Sequence, residues 1–415
     1  VALSSLGALV ALALVAGGYY WWGGPRERRA AQQVLDEACD GVLPSREMRD
    51  VLGDGPYASG PGRLDLRAAQ RDGESARVRT VTCDVTGDGV RVAGGGTNEA
   101  EVEVTVQSVP RRDGDVTGDD RREEVGPAED PLYPRLSPEL PPVGLGGGWR
   151  GLFTTGESLT DRPATGTGAG AATAVTLLDC AHGRGGLLVT VAAKDDDVTL
   201  DDPERRTAFA RVATATAAKA AQKWGCDAEL GASPRSVALP VNVDESVPLA
   251  DASGTCRGVP GRARQISRAW ESRSAAAPVE VCVVAGERPE LPGPGTPFGV
   301  RGYHLVASYG PYAETERRAY AQRYGRYSEK PGPGEAPAGR LEDGGRWASA
   351  VCRDGSGPAL FTVRDDAAWN RDRSRTYEER RTKPSAADRA YERAALAQFA
   401  RHSARTHGCE APRLP

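Results

Sequence analysis

The chain has 415 residues, a formal net charge of −4 and 39% hydrophobic residues, with abundant glycine (51) and proline (30). Such a length holds two to three domains, and the modest apolar content points to small cores for which covalent staples matter. The slightly acidic balance excludes the global basic field of a nucleic-acid-binding protein, and the scarcity of lysine (five of the 53 basic residues) is a coding bias before it is a functional signal.

Residues Ala2 to Trp22 carry no charge and centre on the run Leu6 to Ala16. As a helix of roughly 32 Å they match a bilayer core of about 30 Å. Tyr19, Tyr20, Trp21 and Trp22 then read as an aromatic interface belt. Val15-Ala16-Gly17 is a poor signal-peptidase site, so an uncleaved anchor is preferred over a cleaved signal or a core helix. Arg26, Arg28 and Arg29 follow the segment and, taken alone, place the body in the cytoplasm. The chain starts at Val1, which leaves room for a basic leader, and the cysteines argue for the outside.

Helical spacing of Ala30, Ala31, Val34, Leu35 and Ala38 predicts a helix from Glu27 to about Leu52, interrupted at Pro44. Ala76 to Val92 alternates as strand, turn and strand, with Thr86-Gly87-Asp88-Gly89 as the turn. Val102, Val104 and Val106 mark another strand. A polar, then proline-rich stretch at about 108–148 reads as an exposed insertion. Two strands, Ala174–Cys180 and Leu187–Ala193, precede a helix capped by Asp202 with Pro203 at its first position, ending at Gly225-Cys226. Val237-Ala238-Leu239 and Val241-Asn242-Val243 offer an edge strand between the two halves. The second half closes in the same way: a strand ending at Cys352, the strand Ala359–Val363, and a helix opened by Ser385 with Asp388 and closed by Gly408-Cys409.

The eight cysteines fall into two matching sets of four: Cys39, Cys83, Cys180 and Cys226, then Cys256, Cys282, Cys352 and Cys409. Cys39-Asp40-Gly41-Val42-Leu43-Pro44 answers Cys256-Arg257-Gly258-Val259-Pro260, and Gly225-Cys226-Asp227-Ala228 answers Gly408-Cys409-Glu410-Ala411. The even count, without CxxC or a Cys/His cluster, suits disulfides in an oxidising compartment and disfavours zinc. Eight cysteines allow 105 connectivities. Economy favours Cys39–Cys83, Cys180–Cys226, Cys256–Cys282 and Cys352–Cys409, each late strand tied to its packed helix.

The motifs carry little chemistry. Asp84 to Gly89 and Asp115 to Asp120 resemble half of a calcium loop but lack the closing carboxylate, and a hairpin turn is the better reading. Arg317, Arg318, Tyr320, Arg323, Tyr324, Arg326 and Tyr327 interleave guanidinium and phenol groups suited to an anionic polymer such as a teichoic acid, or to sugars. A solvated helix face is the plainer alternative, with Glu314 and Glu316 as local partners. His182 lies near Asp179, but no nucleophile motif accompanies them. His402 and His407 are five apart, poor spacing for a shared metal. No cofactor, metal or catalytic residue is assigned.

These features predict an α+β protein: a transmembrane anchor at 1–24, then two duplicated, disulfide-stapled domains at 25–240 and 241–415, each an antiparallel sheet with a packed terminal helix. The anchor, composition and cysteine frame resemble uncharacterised single-pass, cysteine-paired envelope proteins of high-GC Gram-positive bacteria. That resemblance implies an extracytoplasmic body attached to the membrane through residues 2–22 and partners in the envelope, either a polymer or a membrane protein. A binding or interaction module is the leading expectation. An envelope hydrolase or transferase with a non-local site and an accessory subunit of a membrane complex are the alternatives.

Overall fold

The computed structural model describes residues 29–53, 56–60, 63–69, 76–91, 97–109, 140–154, 172–181, 185–194, 202–242, 244–273, 277–286, 302–324, 331–341, 345–353, 357–365 and 384–415. The expected anchor lies outside them, as do His182, Arg326, Tyr327 and the second Asp-rich motif. Among the described residues no helix is long and apolar enough to cross a membrane.

The first half opens with two helices, α1 (29–41) and α2 (Ser45–Leu52), separated at Pro44 as the sequence predicts. An antiparallel sheet follows. Its strands are β1 (Tyr57–Ser59), β2 (Arg63–Ala69), β3 (Ala76–Arg91), β4 (Thr97–Val109), β5 (Val143–Gly144), β6 (Gly151–Thr154), β7 (Ala172–Asp179) and β8 (Gly186–Lys194). Their order is β1-β3-β4-β8-β7-β6-β5, with β2 also on β3. Helix α3 (Pro203–Trp224) begins with the Asp202 carboxylate accepting from the Glu204 amide at 2.8 Å and ends at Gly225 in the left-handed conformation.

The second half has β9 (Val247–Pro248), β10 (Arg268–Glu271), β11 (Val279–Ala285) and β12 (Gly302–Tyr309), then helix α4 (Pro311–Tyr324). β13 (Ala338–Arg340), β14 (Arg346–Cys352), β15 (Gly357–Asp365) and helix α5 (Ala386–Thr406) complete it. The sheet order is β13-β14-β15-β12-β11-β10-β9. The run β3-β4-β8-β7-β6 in the first sheet and β11-β12-β15-β14-β13 in the second therefore share one topology. All four favoured disulfides are present: Cys39–Cys83, Cys180–Cys226, Cys256–Cys282 and Cys352–Cys409.

Strand alternation sorts each sheet into two faces. In the first sheet Val81, Cys83, Val85, Val102, Val104, Val106, Val189 and Val191 meet Leu35, Met48, Phe209 and Ala213 of the helices and Leu43 of the turn between α1 and α2. In the second, Cys282, Val284, Leu305, Phe361 and Val363 meet Leu396, Phe399 and Ala400 of α5. The opposite faces pack on each other. Leu152, Val175, Leu177 and Leu188 share one cluster with Trp270, Val279, Val281, Val283 and Val306. Tyr312, fully buried at the start of α4, donates to the Arg150 carbonyl at 2.9 Å across this seam. The layers are thus helices, sheet, sheet, helix. The rest of the second sheet's inner face is covered by α4, through Ala313 and Tyr320 against Trp347 and Leu360.

Three expectations are corrected. The stretch Ala76 to Val92 is not strand–turn–strand: β3 is one long strand whose register on β4 shifts between Gly87 and Val90. Gly87 serves close approach, because a Cβ there would lie 3.0 Å from that of Leu52 and 3.2 Å from the Tyr57 ring. Val237 to Asn242 forms no edge strand. Arg206 and Arg211 of α3 donate to the Val237 and Pro234 carbonyls at 3.2 and 2.8 Å, and the Trp149 indole donates to Ala232 at 2.8 Å. Side-chain donors therefore take the Val237 carbonyl and hold the chain leading into it against α3 and Trp149. Finally, the insertion ends before 140: Leu140 is buried in the seam, and Val143 and Gly144 form β5 on β6.

Candidate functional site

The densest polar constellation lies between the second sheet and α5. Glu280 is the lone acid in the apolar strand β11, and alternation turns it toward the helix with Cys282. Ser403 donates to one carboxylate oxygen of Glu280, and His407 Nε2 lies 2.9 Å from the other. The Tyr309 and Ser403 hydroxyls are 2.5 Å apart. Since the single Ser403 proton goes to the carboxylate, Tyr309 donates to Ser403. Burial, then the nearby Glu280 charge, pushes the Tyr309 phenol well above its ordinary value, so it stays protonated.

A serine, a histidine and a carboxylate together suggest acyl chemistry, but their connections differ from a catalytic relay. In such a relay the base takes the proton of the nucleophile. Here both Ser403 and His407 serve the same acid, and Ser403 and Glu280 are buried. The arrangement clamps the last turn of α5 to the sheet. The neighbouring Cys352–Cys409 bridge closes the same corner.

A second cluster holds the first turns of α5. Arg262 pairs with Asp388 at 2.5 Å, and Asp388 also accepts from the Ser385 hydroxyl and amide in a capping box. These bonds, Arg262 first, hold the Asp388 carboxyl down to about 2. Arg346 and Glu392 form a buried pair at 3.4 Å. Burial pushes Glu392 up and Arg346 down, so both members are desolvated. Glu271 at the end of β10 is likewise turned inward, where it accepts from the amides of Ser253, Gly254 and Cys256 at 2.8, 2.8 and 3.2 Å. Among the described residues no group of three or more His, Cys, Asp or Glu side chains is placed to hold a metal ion.

The sequence-predicted contact residues are divided. Arg317, Arg318, Tyr320, Arg323 and Tyr324 do lie on one helix, α4. Tyr320 is not a surface group, however: it is buried against Trp347, Leu341 and Leu360, because its position on the helix faces the second sheet. Arg317 pairs with Glu314 at 3.1 Å, as the solvated-face alternative expects. Asp179 is exposed at the end of β7. Reading by motif missed Glu280; its signal is an acid placed alone inside the run Val279 to Val284.

No protein-family model matches the chain, and no curated protein or solved structure is significantly similar to it. The fold and its polar clusters define a disulfide-stapled α+β protein made of two stacked antiparallel sheets, with α1, α2, α3 and α5 on the outer faces and α4 on the inner face of the second sheet.

Proposed function

We propose that the chain is an extracytoplasmic binding module of the cell envelope, anchored through residues 2–22 and built by duplication of one stapled unit. The four disulfides support the oxidising compartment, and the shared strand order supports the duplication. The observation that carries the binding role is the sorting of charge in the second unit. The carboxylates of Glu271, Glu280 and Glu392 are buried, each committed to holding an element in place. Groups with chemical reach are thereby spent on rigidity, while Arg393, Arg401 and Arg405 of the same unit face outward. An anionic envelope polymer is the matching ligand class, and Arg317, Arg318, Arg323 and Tyr324 of α4, with Arg326 and Tyr327 beyond, form the proposed contact segment.

The test is sedimentation or calorimetry of the oxidised chain with poly(glycerol phosphate) at low and physiological salt. Saturable binding that weakens with salt supports the reading, and no binding at either salt overturns it. Substitution of Arg323 and Tyr324 by alanine is expected to weaken binding several-fold if α4 is the contact.

A further inference from the structure

The outer face of α5 carries charge of one sign. Arg389, Arg393, Arg401 and Arg405 fall on one i, i+4 ridge of this helix, with alanine at 397 between them. The only acids of α5, Asp388 and Glu392, are turned to the other side, one paired with Arg262 and the other with Arg346. Arg393, Arg401 and Arg405 are exposed, and among the described residues none has a carboxylate partner. Ordinary solvated helices interleave signs along the face, as Arg317 and Glu314 do on α4. A ridge that repeats one sign at i, i+4 destabilises its own helix, and here it is tolerated on a helix held by the Ser385 capping box, the Glu280 clamp and a disulfide.

The topological counterpart of α5 in the first unit is covered. α3 is overlaid by the segment that Arg206 and Arg211 hold, and its Lys219 and Lys223 are engaged with the Leu43 and Asp40 carbonyls at the turn after α1. Among the described residues, the terminal helix presents an open cationic ridge only in the second unit.

We infer that the exposed ridge Arg393–Arg401–Arg405 of α5, headed by Arg389, is a docking track for an extended polymer of phosphodiester groups. Positions four apart rise by about 6 Å along a helix, and the guanidinium fork matches phosphate oxygens in two-point contacts. Ala397 lies between Arg393 and Arg401 on the ridge, and Ala390, Ala394 and Gln398 flank it, so among the described residues no bulky side chain keeps a narrow chain from the helix. The two aromatics of α5, Tyr391 and Phe399, are buried. Among the described residues the face therefore offers no tryptophan, tyrosine or phenylalanine ring on which bases stack, only the half-exposed imidazole of His402, and no bulky apolar groups to enter a bilayer, which favours a polyol-phosphate chain over a single-stranded nucleic acid or a lipid surface. The inference rests on the proposed envelope function and places its ligand on α5 in addition to α4.

The experiment compares the oxidised full chain with the triple substitution Arg393→Ala, Arg401→Ala and Arg405→Ala, and with the same three changed to lysine. Both are checked for unaltered helix content and melting. The probes are poly(glycerol phosphate), a single-stranded oligonucleotide of equal charge and phosphatidylglycerol vesicles. Three phosphate contacts correspond to a slope of log affinity on log salt of about −2. The alanine variant is expected to lose about 10- to 100-fold in polyol-phosphate affinity and most of that slope, with lysine restoring part of it. Binding by the native chain that the alanine substitutions leave unchanged overturns this site while leaving the envelope function standing. Absence of binding by the native chain overturns both. Equal or tighter binding of the oligonucleotide or the vesicles overturns the assignment of the ligand.

Discussion

The imidazole of His407 lies flat on the phenol of Tyr309, ring centroids 3.7 Å apart and 14° from parallel, while its Nε2 reaches Glu280 at 2.9 Å. One carboxylate thus organises a tyrosine, a serine and a histidine from two different elements at the helix end. Replacing Glu280 with alanine leaves buried Ser403 and the His407 ring without their acceptor. The expected cost is about 2–4 kcal/mol, read as a lower urea midpoint. Hydrogen exchange is expected to rise first in the last turns of α5.

The capping box sets an acid limb. The Asp388 carboxyl is held at about 2, below its ordinary value of 3.8, by Arg262 and by both Ser385 donors. A depressed carboxyl adds stability that is complete above the unfolded value and is lost as pH falls through the folded one. Melting temperature is therefore expected to drop between roughly pH 4 and pH 2. Asp388→Asn should flatten that drop while lowering stability at neutral pH. An unchanged acid profile in the variant would show that other carboxylates control the limb.

The Arg346–Glu392 pair is an interior ion pair whose two members are both pushed toward neutrality by burial. Glu392→Leu alone strands a buried guanidinium and is expected to cost about 3–5 kcal/mol. Arg346→Met together with Glu392→Leu is expected to come out near neutral or more stable than the native pair. A double-mutant cycle by chemical denaturation checks both outcomes.

The stacked sheets meet across an apolar seam, which the Tyr312 hydroxyl crosses to donate to the Arg150 carbonyl. Tyr312→Phe should cost about 1 kcal/mol. Leu177→Arg, which drives a cation into the seam while sparing both sheet–helix cores, is expected to uncouple the halves and split a single calorimetric transition into two. One retained transition would show that the seam does not couple them.

Removing Cys352 and Cys409 together opens a bridge of sequence separation 57. The chain-entropy model gives a loss of up to about 4 kcal/mol. The effect should concentrate on α5, since the bridge and the Glu280 clamp hold the same end. Comparing melting temperatures of the paired alanine variant and the native oxidised chain measures it.

Local chemistry in the sequence was enough for the features that depend on near neighbours. Asp202 with Pro203, Ser385 with Asp388, and Gly225 each act within a few residues, so their signals survive folding intact. The cysteine pairs were readable for a related reason: two units with the same element order leave few economical ways to tie a strand to the helix beside it. What only the tertiary structure decided depends on residues far apart in the chain. Gly87 looked like a turn until Leu52 and Tyr57 packed on it, and Tyr320 looked like a surface contact until Trp347 and Leu360 supplied its core. Glu280 had no local partner, since Tyr309, Ser403 and His407 reach it from β12 and α5. The same holds for the seam between the sheets, because alternation names two faces of a strand but not what covers each one. The sorting of α5, with its acids inside and its arginines outside, likewise emerges only once Arg262 and Arg346 have claimed those acids.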